Sequence, residues 1–281
     1  MKIKLGKNAY GKNAVNFSKI IRHADHHEFR QVSVNVSLAG DFEATHTEGD
    51  NTKILATDTQ KNTVYALAKE NFVSGIEEFG LFLANYFLAN NPQVSEVTIQ
   101  LTEHLYNSLY LDGKPHPHAF ISRGGEKHTA VIVQNAASAM VTAGLKDLLI
   151  LKTTDSGFEH YIKDKYTTLK ETSDRILATQ CEASWVYYTN KLDFTAHYND
   201  TRSIILQTFA EHKSLSLQQT LYAMGEAALQ KNEEIKEISF KMPNKHHILF
   251  NLEQFGMENN NEIFIATDEP YGYITATVER D

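Results

Sequence analysis

Apolar side chains recur along this chain with two periods, and the switch between them marks its elements. In "QVSVNVSL" (31–38), Val32, Val34, Val36 and Leu38 alternate with polar residues, which predicts a strand with one buried face. In "SGIEEFGLFLANYFLAN" (74–90) the spacing lengthens to that of an amphipathic helix, with Ile76, Phe79, Leu83 and Tyr86 on one stripe. Ser74 and Glu77 have the spacing of a capping box at its start. A shorter helix is expected before it, around Val64–Glu70, and strands after it at 97–101, 118–122 and 129–133. The second half repeats the order, with strands at 141–153 and 184–196, helices at 199–212 and 216–230, and strands at 237–242, 246–252 and 273–278. Ser216 and Gln219 make a second capping box, ahead of a stripe of Leu217, Leu221, Met224 and Ala228.

Each half, 1–137 and 138–281, thus reads strand–strand–helix–helix–strand–strand. This is an α+β pattern, in which two helices cover one face of an antiparallel sheet. The other face needs cover, and the open edges invite pairing. A homo-oligomer that closes those edges into a barrel is therefore expected.

Composition narrows the setting. The 281 residues carry a net charge of −8, which lacks the basic footprint of a general nucleic-acid binder. One cysteine, Cys181, permits no intrachain disulfide, so the fold does not depend on an oxidising compartment. No apolar run reaches the length of a membrane helix, and the N-terminus does not read as a signal peptide. The ending "TVERD" does not match the S-K-L peroxisomal address, and a cytoplasmic location is expected.

Five stretches carry candidate chemistry. In "NAYGKNAV" (8–15), Gly11 permits a sharp turn and Lys12 follows it; a lysine becomes a base only when its charge is disfavoured. In "LATDTQKNT" (55–63), Thr57 and Asp58 precede a helix that Thr59 or Thr63 is better placed to cap. The segment 149–180 is long and polar, with Phe158, Tyr161 and Tyr166 spread through it and Arg175 beside Asp174, a pair that also reads as a salt bridge in a short helix. Gln218 falls in the first turn of its helix, near free backbone N–H groups that suit an anionic or carbonyl-rich ligand. Finally, "MPNKHHILFNL" (242–252) holds Asn244 and His246. Alternation puts His246 on the apolar face of Ile248, Phe250 and Leu252, and His247 on the other. The clusters His23/His26/His27 and His116/His118 match no standard zinc spacing and read as surface histidines.

Together these stretches resemble the urate oxidase (uricase) family. "LILKTTDSGFEHYIKDKYTTLKETSDR" is similar to its signature segment at Lys152, Thr153, Thr154, Phe158, Tyr161, Tyr166, Leu169 and Arg175. "YGK", "TDTQKNT", "LQQT" and "PNKHH" resemble further family segments, in the family's order. The resemblance implies the tunnelling fold (T-fold), two repeats per chain, assembled as a homotetramer around a β-barrel tunnel. It implies oxidation of urate by O2 to 5-hydroxyisourate and H2O2, without metal or organic cofactor. Arg175 and Gln218 would hold the purine, Phe158 would stack on it, and Leu169 and Leu217 would line the pocket. Asn244 would sit over the ring, and Lys12, Thr57 and His246 would relay protons. Lys12, Thr57 and Asp58 would reach in from a neighbouring subunit. Leu217 stands where many members have valine, a tolerable change in volume. Two alternatives are another T-fold enzyme of purines or pterins, and a non-catalytic purine-binding protein.

Overall fold

The structure, a computed structural model, describes residues 3–281. Its strands are β1 (Tyr10–Arg22), β2 (His27–Gly40), β3 (Val94–Leu111), β4 (Lys114–Asn135), β5 (Ala139–Lys152), β6 (Leu177–Tyr187), β7 (Ile235–Leu249) and β8 (Phe264–Glu279). The helices are α1 (Glu43–Thr47), α2 (Thr57–Asn71), α3 (Ile76–Asn90), α4 (Phe194–Glu211) and α5 (Leu217–Lys231). The chain forms two compact units. The first runs through Gly144 and takes in Val186–Tyr198; the second is Leu145–Trp185 with Asn199–Asp281.

In the first unit β1 to β4 lie side by side in chain order, and each pair is antiparallel. The alternating face of Val32, Val34, Val36 and Leu38 is buried. So is the stripe of α3, which runs through Ile76, Phe79, Leu83 and Phe87. Tyr86, expected on that stripe, is instead part-exposed, since Phe87 lies closer to the helical repeat from Leu83. Gly80 lets α3 sit close to the sheet: a Cβ there would fall 2.4 Å from Ile132 Cδ1 and 2.8 Å from Leu101 Cδ1. Burial of each large side chain in this layer is worth about 1.5–3 kcal/mol.

The second unit repeats the arrangement with β5 to β8 in chain order. Here α5 buries Leu217, Leu221, Met224 and Ala228, the stripe expected from sequence. Gly225 brings it against Val278 and Ile238. Among the described residues no helix is long and apolar enough to cross a membrane.

Several boundaries differ from the sequence reading. Strands 118–122 and 129–133 are parts of one strand, β4, and 237–242 and 246–249 are parts of β7, which runs on through Pro243. The expected strand at 184–196 ends at Tyr187, and α4 starts at Phe194 rather than 199. Asp193 explains the early start: its Oδ1 accepts from Ala196 N–H at 3.0 Å, an N-cap contact. Helix α2 begins at Thr57, seven residues before the expected start. The Ser74–Glu77 capping box does not form; Gly75 is the N-cap, with no side-chain cap.

Candidate active site

The expected site residues fall into two groups, one in each unit. The first group is built at the start of β1. Gly11 does not turn the chain there, as the sequence reading supposed; it lies inside the strand opposite Ser37. Its need is close approach, because a Cβ would stand 1.8 Å from the Val36 carbonyl oxygen. A bulge follows at once between Lys12 and Val15, with Ala14 at φ 54° and its N–H donating to Asn35 Oδ1 at 2.7 Å. Such bulges re-aim neighbouring side chains.

Tyr10 ties this strand to the segment ahead of α2. Its hydroxyl accepts from Leu55 N–H at 2.8 Å and lies 3.2 Å from the Leu55 carbonyl, to which it donates. Gln60 Nε2 donates to the same carbonyl at 3.1 Å, from inside α2. Lys12 shares a strand face with Tyr10, so this tie sets it beside the first turn of α2, where Thr57 and Asp58 lie. Asp58 bonds Lys61 at 2.5 Å and accepts from Asn62 at 3.0 Å. The Lys61 hydrogen bond first, with a contribution from the Lys12 charge, holds the Asp58 carboxyl below the usual range.

The second group is braced by backbone bonds. Phe158 N–H donates to Thr172 O at 2.8 Å, and Thr172 N–H returns a bond to Phe158 O at 3.2 Å. The two arms of segment 149–180 are thereby pinned, and the Arg175 guanidinium lies 5.3 Å over the Phe158 ring. Phe158 also stacks on Tyr161, at 4.9 Å and 14°. The Tyr161 hydroxyl donates to the Leu169 carbonyl at 2.7 Å, and the Leu169 side chain is largely exposed. Arg175 is not in a helix, and its guanidinium forms no ion pair with Asp174, contrary to the salt-bridge reading; only its backbone N–H bonds that carboxylate. Asp174 also accepts from Thr154 Oγ1 at 2.8 Å and Ser156 N–H at 3.2 Å. Burial lowers the Arg175 pKa, and its Nε is buried with no hydrogen-bond partner. A part-buried guanidinium whose Nε–H is buried and unmet suits a planar acceptor.

Ser214 joins this group to α5. Its carbonyl accepts from Gly157 N–H at 2.8 Å, and its N–H donates to Asp155 O at 2.9 Å. Ser216 then caps α5, its Oγ accepting from Gln219 N–H at 3.1 Å, while Gln219 Oε1 accepts from Leu215 N–H at 2.9 Å. Leu217 is buried and Gln218 faces out. Sequence reasoning passed over Asp174, Ser156 and Ser214 as positioning residues; the Thr-Thr-Asp-Ser-Gly run, rich in turn-forming side chains, was the available signal.

Asn244 and His246 lie on β7, opposite Gly272 and Thr267, and the ladder shifts register between them. The extra residues of that shift lie in β8, between Thr267 and Gly272, and from His246 to Leu249 the ladder is regular. Ile248, the supposed apolar neighbour of His246, is 55% exposed, and it is His247 whose Nδ1 is buried without a partner. Among the described residues, one group of donors converges well enough to hold a metal: His23, His26 and Glu28, within 4.8 Å of one another and all exposed. It shares no residue with either site group.

Comparison with known proteins bears on both groups. A family model described as Uricase matches residues 8–133 and 141–275, which include every candidate site residue. The uricase of Arthrobacter globiformis is 44% identical over all of this chain and 91% of its own length. Those of Cyberlindnera jadinii and Oryctolagus cuniculus are 36% and 34% identical, over 100% and 98% of the chain and 98% and 94% of their own lengths. The crystal structure of the Arthrobacter globiformis enzyme matches with a TM-score of 0.95, covering 100% of this chain and 96% of that one.

Proposed function

Because the chain belongs to the uricase family and oxidises urate, we propose that Arg175 and Gln218 grip the substrate edges while Lys12, Thr57 and His246 move its protons. Urate is a flat monoanion at neutral pH, edged with donors and acceptors. A planar guanidinium offers parallel N–H groups to one edge, and a glutamine amide offers both a donor and an acceptor to the other. Phe158 supplies a ring face for offset stacking. Asp58 steadies the first turn of α2, Leu169 and Leu217 close the sides, and Asn244 holds oxygen or water over the ring.

The chemistry follows from spin. Dioxygen is a triplet, so concerted two-electron attack on a closed-shell urate is slow. Removing a further proton makes urate a better one-electron donor, and Lys12 takes that proton through the Thr57 hydroxyl. Two electrons and two protons pass to O2, giving H2O2, and water adds at C5 to give 5-hydroxyisourate. Oxygen is then the only co-substrate, with no metal or organic cofactor.

The two groups meet in a homotetramer, where Lys12, Thr57 and Asp58 of one subunit complete the pocket of another. Exposed apolar side chains at Leu109, Tyr110, Leu111 and Ile121 support such an assembly. We assign the enzyme to the cytoplasm.

The observation that carries the reading is the buried, unmet Arg175 Nε above Phe158. The test is to mix protein and urate in air, following urate absorbance and peroxide with and without EDTA. One peroxide per urate, indifferent to EDTA, is expected; loss of turnover on chelation overturns the cofactor-free chemistry. Lys12→Met should cut turnover by roughly 10²–10⁴-fold while a urate analogue still binds.

A further inference from the structure

The two units can be laid over one another by a shared device. Helices α3 and α5 have 15 residues each. After α3, Asn91 Nδ2 donates to Phe87 O at 2.8 Å and Val94 N–H to Asn91 O at 2.9 Å. After α5, Asn232 Nδ2 donates to Ala228 O at 3.3 Å and Ile235 N–H to Asn232 O at 3.2 Å. Aligning these ends sets Glu77 against Gln218, each the second residue of its helix. It also sets Glu103 of β3 against Asn244 of β7, after the same run of buried positions. Across the ladder Glu103 faces His128, and Asn244 faces Gly272. Arg30 and Arg175 each stand two residues before the first buried position of their strand, Val32 and Leu177. Each guanidinium lies over a phenyl ring, Phe72 at 4.1 Å and Phe158 at 5.3 Å.

We propose that the first unit holds a closed counterpart of the substrate site, occupied permanently by the His128 ring and selective for planar cationic nitrogen heterocycles of that size. The correspondence rests on Gln218, Asn244 and Arg175 placing urate in the second unit. Where the second unit has neutral amides facing an anion, the first has carboxylates facing a cation. His128 Nε2 donates to Glu77 Oε1 at 2.7 Å, and its Nδ1 lies 3.8 Å from Glu103 Oε2. Tyr198 stacks on the imidazole at 3.6 Å and 24°, as an aromatic face would on a bound base. Arg30 clamps Glu103 through Nε at 2.6 Å and a second nitrogen at 3.0 Å, and donates to the Ser74 carbonyl. Burial opposes the charge on His128, yet the Glu77 charge and hydrogen bonds with Glu103 and Glu77 push its pKa up to about 9. Glu77 is fully buried, and its Oε2 has no partner, so one acceptor of the cradle stays unused. The facing position in the second unit stays open: a Cβ on Gly272 would meet only Ile274 Cδ1 at 3.6 Å and Asn244 Cβ at 3.7 Å.

The test empties one site and fills the other in the full chain. His128→Gly should lower the thermal midpoint by about 10 °C. Millimolar imidazole should restore most of that loss and leave the parent protein unmoved. Pyrazole, of the same size but uncharged at neutral pH, should not restore it. Equal rescue by both azoles, or none by imidazole, overturns the proposal. Should His128→Gly yield no folded protein, Gly272→His decides: it should abolish binding of xanthine while circular dichroism stays unchanged. Retained xanthine binding refutes the correspondence. Imidazole rescue does not involve urate, so its failure in protein that still oxidises urate counts against the closed site alone.

Discussion

Helices α3 and α5 begin with the same sequence device and end up doing opposite things. Both carry a serine followed three residues later by a long polar side chain, Ser74 with Glu77 and Ser216 with Gln219. Only Ser216 caps its helix. At α3 the carbonyl of Ser74 accepts from Arg30, and Glu77 turns inward to His128. A charge-assisted bond inside a dry core is stronger than a cap exposed to water, so the motif yields to the tertiary partner. The second residues of the two helices diverge accordingly. Glu77 is locked in the core, and Gln218 faces out, free to meet a ligand.

That contrast can be broken from either side. The largest effect is expected from Glu77→Leu, which strands a buried imidazolium and should cost about 3–5 kcal/mol in urea unfolding. Gln218→Leu should leave unfolding within about 0.5 kcal/mol, because the side chain is exposed. Its effect should appear in KM for urate, raised by roughly tenfold or more through loss of an edge contact.

The buried cluster also predicts a pH dependence of stability. His128, raised from 6.5 to about 9, adds stability that is complete below pH 6.5 and disappears as pH climbs through 9. Burial alone would raise Glu103, but hydrogen bonds from His128 and Arg30 outweigh it and hold the carboxyl at about 2. Its contribution is present above pH 4.5 and fails as pH falls toward 2. The unfolding difference between the parent and His128→Phe should therefore shrink by on the order of 3 kcal/mol from pH 6.5 to beyond 9. The smallest effect sharpens the cap comparison: Ser216→Ala should cost about 1 kcal/mol, and Ser74→Ala within about 0.5 kcal/mol.

Strand alternation, the α5 cap and the family segments were legible because each is a local pattern of side-chain type. The start of α2 was not. Its first turns, "TDTQKNT", offer no apolar stripe, and the helix buries only Gln60, Val64 and Ala68. The run "SWVYYT" looked like a strand continuing to 196 because aromatic and β-branched residues favour strands. Asp193 was the overlooked cap. His246 was placed by counting in twos; the count holds from His246 to Leu249, but the face that His246 shares with Ile248 is open to solvent, which side-chain type alone does not reveal. The site residues themselves came from the family resemblance. What lay beyond the sequence was the bracing by Asp174 and Ser214, which depends on backbone groups far apart along the chain.

The phenol of Tyr10 has a consequence for how this protein wears out. It grips a single peptide group at Leu55, across 45 positions of chain, and lies only partly within the core. If that grip slackens on warming, β1 parts from the segment ahead of α2, and the proton relay proposed for Lys12 and Thr57 is lost while the valine face of β2 stays dry. Catalysis should therefore fade at a lower temperature than the fold melts, and Tyr10→Phe should widen the interval between the two.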